Sequence, residues 1–219
     1  MTKIYLIRHA EAEGNLYRRI QGHWDGSITP LGLQQIDALA QRFRREHIDA
    51  LYCSDLSRAR ATAEAITRYH DIPAVVTPRL TEICMGVWEG RAWGDVEHEF
   101  PEQMRWFNTD PDRWSVPGCE PIRDVQKRMK RAITDLAARH DGQTIALVSH
   151  GMAIRAYLCT ALGIPNSEMA TLPYGDNTSV SLLLVDGGHT TVEYYNDNRH
   201  LPDCLLYTSP SPRDRTRSR

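Results

Sequence analysis

Along most of the chain, short β-branched or apolar runs alternate with amphipathic stretches, the pattern of β-α-β units. Runs of strand length cover residues 3–7, 50–53, 74–77, 144–149, 179–185 and 191–195. Ile145-Ala146-Leu147-Val148 is apolar at every position, which predicts a central parallel strand covered on both faces. Thr29 followed by Pro30 reads as an N-cap and a first helical position, and Ile36, Leu39, Ala40 and Phe43 then recur at helical spacing. Ile122, Val125, Met129, Ile133 and Leu136 repeat the stripe in a second helix, with Pro121 at its first position and an end near Asp141-Gly142. Both stripes read as core. No repeat of solenoid length interrupts the alternation.

Residues 88–121 break the pattern. They hold four of the five Trp (Trp88, Trp93, Trp106, Trp114) and four Pro (Pro101, Pro111, Pro117, Pro121), with a weak helical pattern over 96–107. The stretch is too long for a plain connection, so it predicts an inserted subdomain or lid after Glu82. Its aromatics are expected to pack it down onto the sheet.

Composition narrows the class. The 219 residues are 41% hydrophobic and 25% charged, enough for one domain with a core, and disordered, collagenous and coiled-coil chains are excluded. No apolar run approaches the ~20 residues of a spanning helix, and the N-terminus lacks a cleavable apolar stretch. A cytoplasmic protein without membrane contact is the expectation. A formal charge of −2 gives no reason to expect nucleic acid as a partner. Cys53, Cys84, Cys119, Cys159 and Cys204 form no CxxC pair, which predicts free thiols.

The last stretch, 204–219, is different in kind. It carries two Ser-Pro steps and four Arg against one Asp, and CLLYTSPSPRD resembles the translation of a transposon-end sequencing adapter. The expectation is a native domain over 1–203 followed by a non-native tail, with the true C-terminus missing beyond about Asp203.

Two strands run directly into histidines, at Arg8-His9 and His150-Gly151. Residues just past the carboxyl ends of parallel strands face the crevice where open sheets bind ligands. Small residues follow each histidine, which allows close backbone approach, and helix N-termini offer N–H donors to an anion. Arg8 and Arg58 supply planar, permanently charged forks that suit phosphate. A zinc site built from His9, His150 and Glu82 is the competing chemistry. Both arginines would repel a dication there, so no metal is expected.

Several motifs occur in order: Leu6-Ile7-Arg8-His9-Ala10-Glu11 with Asn15; Gln21-Gly22; Ile28-Thr29-Pro30-Leu31-Gly32; Ser54-Asp55-Leu56-Ser57-Arg58-Ala59 with Thr62-Ala63; Glu82; and Val148-Ser149-His150-Gly151. Together they resemble the histidine phosphatase superfamily over residues 3 to about 195. The resemblance implies an α/β fold, a three-layer αβα sandwich around a mostly parallel sheet of the phosphoglycerate-mutase-like kind. It implies that His9 is the nucleophile, needing a neutral imidazole with one nitrogen held by a backbone acceptor. Arg8, Arg58, His150 and Asn15 would form a cationic phosphate pocket, with Gln21, Gly22 and Gly151 also against substrate. Glu82 would protonate the leaving alkoxide and then activate water. No cofactor or metal is implied, and a homodimer is left open.

Members of this family divide into phosphatases and bisphosphoglycerate-dependent mutases. Mutases carry a longer insertion with paired arginines after the position of Glu82. Here the segment has scattered arginines and more acids, resembling the broad-specificity phosphatase branch of ribazole, phosphoserine and sugar-phosphate phosphatases. Where that branch usually reads Gly-Gly-Glu-Ser, this chain reads Gly118-Cys119-Glu120-Pro121. The expectation is a metal-independent phosphomonoester hydrolase acting through phosphohistidine on small metabolites. The alternatives are a phosphoglycerate mutase and, in another class, an inactive phospho-ligand binding module, which would have no need of Glu82.

Overall fold

A computed structural model of the chain describes residues 1–206. Its strands are β1 (Thr2–Arg8), β2 (Ala50–Cys53), β3 (Ala74–Val76), β4 (Thr144–Ser149), β5 (Val180–Asp186) and β6 (His189–Asp197). Every strand predicted from the alternation is present, with ends shifted by at most two residues. They form one sheet in the order β3-β2-β4-β1-β5-β6. β4 lies between β1 and β2 and is parallel to both, as its unbroken apolar run requires. β5 and β6 close the edge antiparallel.

The helices are α1 (Glu13–Leu16), α2 (Pro30–Phe43), α3 (Ser57–Thr67), α4 (Trp93–Glu99), α5 (Pro101–Thr109), α6 (Ile122–Arg139) and α7 (Gly151–Leu162). Side chains alternate across a strand, so β1 feeds two cores. Ile4 and Leu6 join Val125, Met129 and Ile133 of α6 on one face. Tyr5 and Ile7 join Ile36, Leu39 and Phe43 of α2 on the other. The result is a three-layer αβα sandwich with a mixed, mostly parallel sheet.

Local chemistry sets the helix ends. The Thr29 hydroxyl oxygen accepts from Gly32 N at 3.0 Å, capping α2 ahead of Pro30. α7 stops at Gly163, whose φ of +68° is a left-handed cap open to glycine. The start of α6 differs from expectation. Pro121 has ψ 138° and is the extended residue before the helix, which runs from Ile122 and ends at Arg139.

The 88–121 segment is pinned by aromatic packing. Trp88 and Trp114 are buried with ring centroids 5.5 Å apart, and Phe107 stands 5.1 Å from Trp114. The weak pattern over 96–107 resolves into α4 and α5, separated at Phe100-Pro101. Residues 18–20 pair with this segment, with Ile20 N donating to Arg91 O at 2.9 Å and Gly90 N to Ile20 O at 2.8 Å. No helix of the described residues is long and apolar enough to cross a membrane.

The packed chain continues past the expected boundary at Asp203. Leu205 is buried, and Gln35 Nε2 donates to its carbonyl at 3.0 Å. The remainder of the expected tail, 207–219, lies outside the described residues.

Candidate active site

The register of β1 and β4 brings the two histidines together. Arg8 pairs with Ser149, so His9 and His150 leave the sheet side by side, with ring centroids 5.1 Å apart. His9 N donates to Ser149 O at 2.9 Å, and the His9 carbonyl accepts from Asn177 Nδ2 at 2.9 Å and Thr178 N at 3.3 Å. Thr178 holds a φ of 60°, a left-handed conformation that costs a β-branched residue energy, and it does so against the nucleophile's backbone.

His9 is buried, and its Nδ1–H donates to Ala10 O at 2.7 Å. That bond fixes the tautomer and leaves the lone pair on Nε2. Burial, then Arg58 and Arg8, hold the His9 pKa well below the usual histidine value. His150 is held well below that value too, by burial and then by Arg58, His9, Arg128 and Arg8. His150 is therefore neutral in the free protein, and the positive charge expected of the whole pocket comes from Arg8 and Arg58. Its Nε2 lies 2.7 Å from Ser54 Oγ.

Arg58 is fully buried at the start of α3. Its Nη2 donates to Gly22 O at 2.7 Å and its Nη1 to Trp24 O at 3.1 Å, with Asp25 Oδ1 at 3.3 Å. Gly22 has φ +51°, and a Cβ there would fall 2.4 Å from Glu89 Oε1, so the turn that presents this carbonyl requires glycine. Arg8 donates through Nη1 to Gly175 O, and a Cβ on Gly151 would lie 3.3 Å from Arg8 Nε. Thr62 ties α3 to the nucleophile loop, accepting from Ala10 N at 2.9 Å and donating to Arg58 O at 2.7 Å.

Glu82 caps α7. Its Oε1 accepts from Ala153 N at 2.8 Å and Ile83 N at 2.9 Å, and its Oε2 accepts from Met152 N at 3.0 Å. The carboxylate is close enough to Arg8 and Arg58 to favour their charged forms. Both of its oxygens face N–H donors, a poor arrangement for a metal ligand between two arginines. Arg128 holds the segment from behind: Nη1 donates to Thr81 O at 2.6 Å, Nη2 to Glu82 O at 3.1 Å, and Glu120 takes Nε and Nη2 at 2.7 and 3.0 Å. Beside Glu82 lies a cavity of about 390 Å³ whose walls include Asp55, Thr81, Glu120 and Arg128.

The remaining candidates divide. Gly22 and Gly151 border the arginines. Asn15 and Gln21 meet each other, with Gln21 Nε2 donating to Asn15 Oδ1 at 3.2 Å, and the same oxygen accepts from Ala12 N at 3.1 Å. The amide nitrogen of Asn15 makes no hydrogen bond among the described residues. Sequence reasoning gave no role to Ser54, Thr62, Asn177 or Arg128. Ser54 and Thr62 lie inside a quoted motif, whereas the contacts of Asn177 and Arg128 join segments distant in the chain.

A fold of this topology, with paired histidines and arginines at the carboxyl ends of its central strands, defines a phosphoryl-transfer class. The chain belongs to the histidine phosphatase superfamily (branch 1), whose sequence profile matches residues 4–198, and it is a phosphatase of that family. It is 32% identical over 206 residues to phosphoserine phosphatase 1 of Hydrogenobacter thermophilus, covering 94% of this chain and 97% of that one. A probable phosphoglycerate mutase GpmB of Yersinia pestis is 35% identical over 168 residues, covering 75% and 77% of the two chains. Among solved structures, Bacillus stearothermophilus YhfR superposes with a TM-score of 0.88 at 32% identity, over 91% of this chain and 99% of that one.

Proposed function

We propose that the protein hydrolyses small phosphomonoesters through a phosphohistidine at His9, with Arg8, Arg58 and His150 holding the transferring group. The observation that carries this reading is a set of buried nitrogens. Arg8 Nε, Arg58 Nε and His150 Nδ1 are each buried with no hydrogen-bond partner among the described residues. An unpaired buried polar group costs about 1–3 kcal/mol, and a phosphate dianion would satisfy all of these at once, with His150 as the Nδ1–H tautomer and its Nε2 accepting from the Ser54 hydroxyl.

The steps follow from the residues. His9 Nε2 gives its lone pair to phosphorus, and the bond from phosphorus to the ester oxygen breaks. Glu82 takes up a proton from water as the phosphate dianion binds, and the departing alkoxide takes that proton from it. Charge on the equatorial oxygens is met by Arg8 and Arg58, whose positions are fixed by backbone carbonyls before substrate arrives. Water then attacks phosphorus as Glu82 recovers a proton from it, and the phosphorus–nitrogen bond to His9 breaks. Asn15 enters as a further donor through its free amide nitrogen, while Gln21 acts by holding Asn15.

The substrate class follows from the relatives. A protein 32% identical over nearly the whole chain is named a phosphoserine phosphatase, so phosphorylated hydroxy-acids and amino-acids head the panel. A cytoplasmic location belongs to the same proposal, because such metabolites are made there. The test is turnover of phosphoserine, 3-phosphoglycerate and sugar phosphates in EDTA, alongside conversion of 3-phosphoglycerate to 2-phosphoglycerate with 2,3-bisphosphoglycerate present. Hydrolysis well above isomerisation is expected. Mutase turnover above hydrolysis would reverse the reading.

A further inference from the structure

We propose that His23, Cys84 and Glu89 form a divalent-metal site, suited to zinc, on the rim of the active site, and that filling it inhibits the enzyme. One ligand atom from each residue, an imidazole nitrogen, the thiol sulfur and a carboxylate oxygen, lies within 4.8 Å of the other two. Zinc bonds to such atoms at about 2.0–2.3 Å, so small side-chain rotations would close the set and leave a fourth position for water.

The surroundings already orient the donors. His23 Nε2–H donates to the Glu82 carbonyl at 2.9 Å, which leaves the lone pair on Nδ1. Donation of the second ring N–H to a carbonyl is the outer-shell arrangement that metal-bound histidines use. Glu89 Oε1 accepts from His23 N at 2.9 Å and Met85 N at 2.8 Å, which holds the carboxylate and leaves Oε2 without a backbone donor among the described residues. The Cys84 thiol lies within reach of that carboxylate and donates its S–H to Gly118 O at 3.2 Å. The free thiol is therefore protonated, and metal binding releases that proton to water as the sulfur–zinc bond forms. No electron is transferred. Thiolate and carboxylate together balance the dication.

This position differs from the crevice of His9 and His150 in its charge. The crevice holds Arg8 and Arg58, whereas Glu89, Glu120 and Asp55 lie near the rim, with Glu120 already paired to Arg128. The consequence for turnover follows from the neighbours of His23. Gly22 and Trp24, on either side of it, supply the carbonyls that hold Arg58, and His23 itself holds the Glu82 carbonyl. A metal bound here ties the 22–24 turn to the 82–89 segment, across a cavity that His23 and Cys84 line.

The test uses the full chain, reduced and metal-free, titrated with cobalt(II) as a spectroscopic stand-in for zinc. One equivalent should produce thiolate-to-cobalt charge-transfer absorption that zinc displaces, that is lost in Cys84→Ser and His23→Gln, and that persists in Cys204→Ser. In parallel, zinc should inhibit p-nitrophenyl phosphate turnover reversibly by EDTA. Cys84→Ser, compared with itself in EDTA, should need at least about tenfold more zinc, the scale on which disturbing a metal site acts. Absorption that survives Cys84→Ser, or is absent from the unaltered chain, would overturn the proposal, as would zinc inhibition undiminished in that variant. These readouts report on the metal alone, so their failure leaves the assignment of His9 standing.

Discussion

The imidazoles of His9 and His150 stand with centroids 5.1 Å apart and planes tilted by 52°, each delivered by one of two neighbouring parallel strands. Their nitrogens meet different partners, a carbonyl that only accepts at His9 and a hydroxyl that can donate or accept at His150. Ala10 O takes the Nδ1–H of His9, and Ser54 Oγ meets Nε2 of His150. Burial and two fixed guanidinium groups keep both rings uncharged. The free site thus presents a nucleophilic nitrogen, an uncharged partner ring and two arginines, all set before a dianion arrives.

For Glu82, the leaving group discriminates between roles. Glu82→Gln cannot cycle a proton, so hydrolysis of an alkyl phosphate should fall by about 10²-fold or more, the usual scale of general acid catalysis, and that of p-nitrophenyl phosphate by less. Equal, slight effects on both substrates would remove Glu82 from proton transfer and direct attention to Glu11 and Glu13. Both Glu82 oxygens accept backbone N–H bonds, so the Gln amide group must face a donor. Thermal melting should therefore register a loss of about 1–3 kcal/mol in the same variant.

Acid should weaken the fold through its buried histidines. Above the ordinary histidine value of 6.5, the rings of His9 and His150 are neutral in both the folded and the unfolded chain. Below it, the unfolded chain takes up protons that the folded one refuses, so stability falls as pH falls. Burial lowers His200 to about 4, and it acts with the same sign. Melting temperature should be flat in this contribution above pH 6.5 and decline steadily below it, and the imidazole NMR signals of His9 should show no midpoint near 6.5. A midpoint there would contradict a nucleophile held neutral.

Two truncations test whether the chain packs past Asp203. The chain ended after Leu206 keeps every described contact and serves as the reference. Ending after Asp203 removes Leu205 and strips Gln35 Nε2 of its acceptor, while Gln35 Oε1 still accepts from Glu11 N at 2.8 Å beside the nucleophile loop. An unpaired buried amide costs about 1–3 kcal/mol, and each kcal/mol shifts the melting temperature of a domain this size by about 2–4 °C. Equal melting of the two truncations would return the boundary to Asp203.

Local physics made parts of this protein legible in its sequence, and distance in the chain concealed others. Thr29-Pro30 announces a cap because the bond it forms spans three residues, and the all-apolar run 145–148 announces a strand with two covered faces. Pro121 satisfies both a cap and a first helical position, so composition could not choose between them. The Ser-Pro steps and arginines of the tail drew the boundary to the start of the compositional break, although Leu205 still packs. At the site, Arg8-His9 and His150-Gly151 were readable as strand ends, and motif order tied them to Arg58 and Glu82. Glu82 capping α7 was not readable, because its partners Met152 and Ala153 lie far along the chain. The neutrality of His150 depends on burial among arginines, which only the folded arrangement supplies.

The most direct measurement is a rapid-quench search for phosphoenzyme with a radiolabelled phosphomonoester. The unaltered protein should trap an acid-labile, base-stable phosphoryl group within the first turnover, mapping to the peptide that contains His9. His9→Ala should trap none and should lose essentially all hydrolysis while melting like the parent. Near-parental turnover by His9→Ala, or a label that survives acid or maps to another residue, would contradict the account.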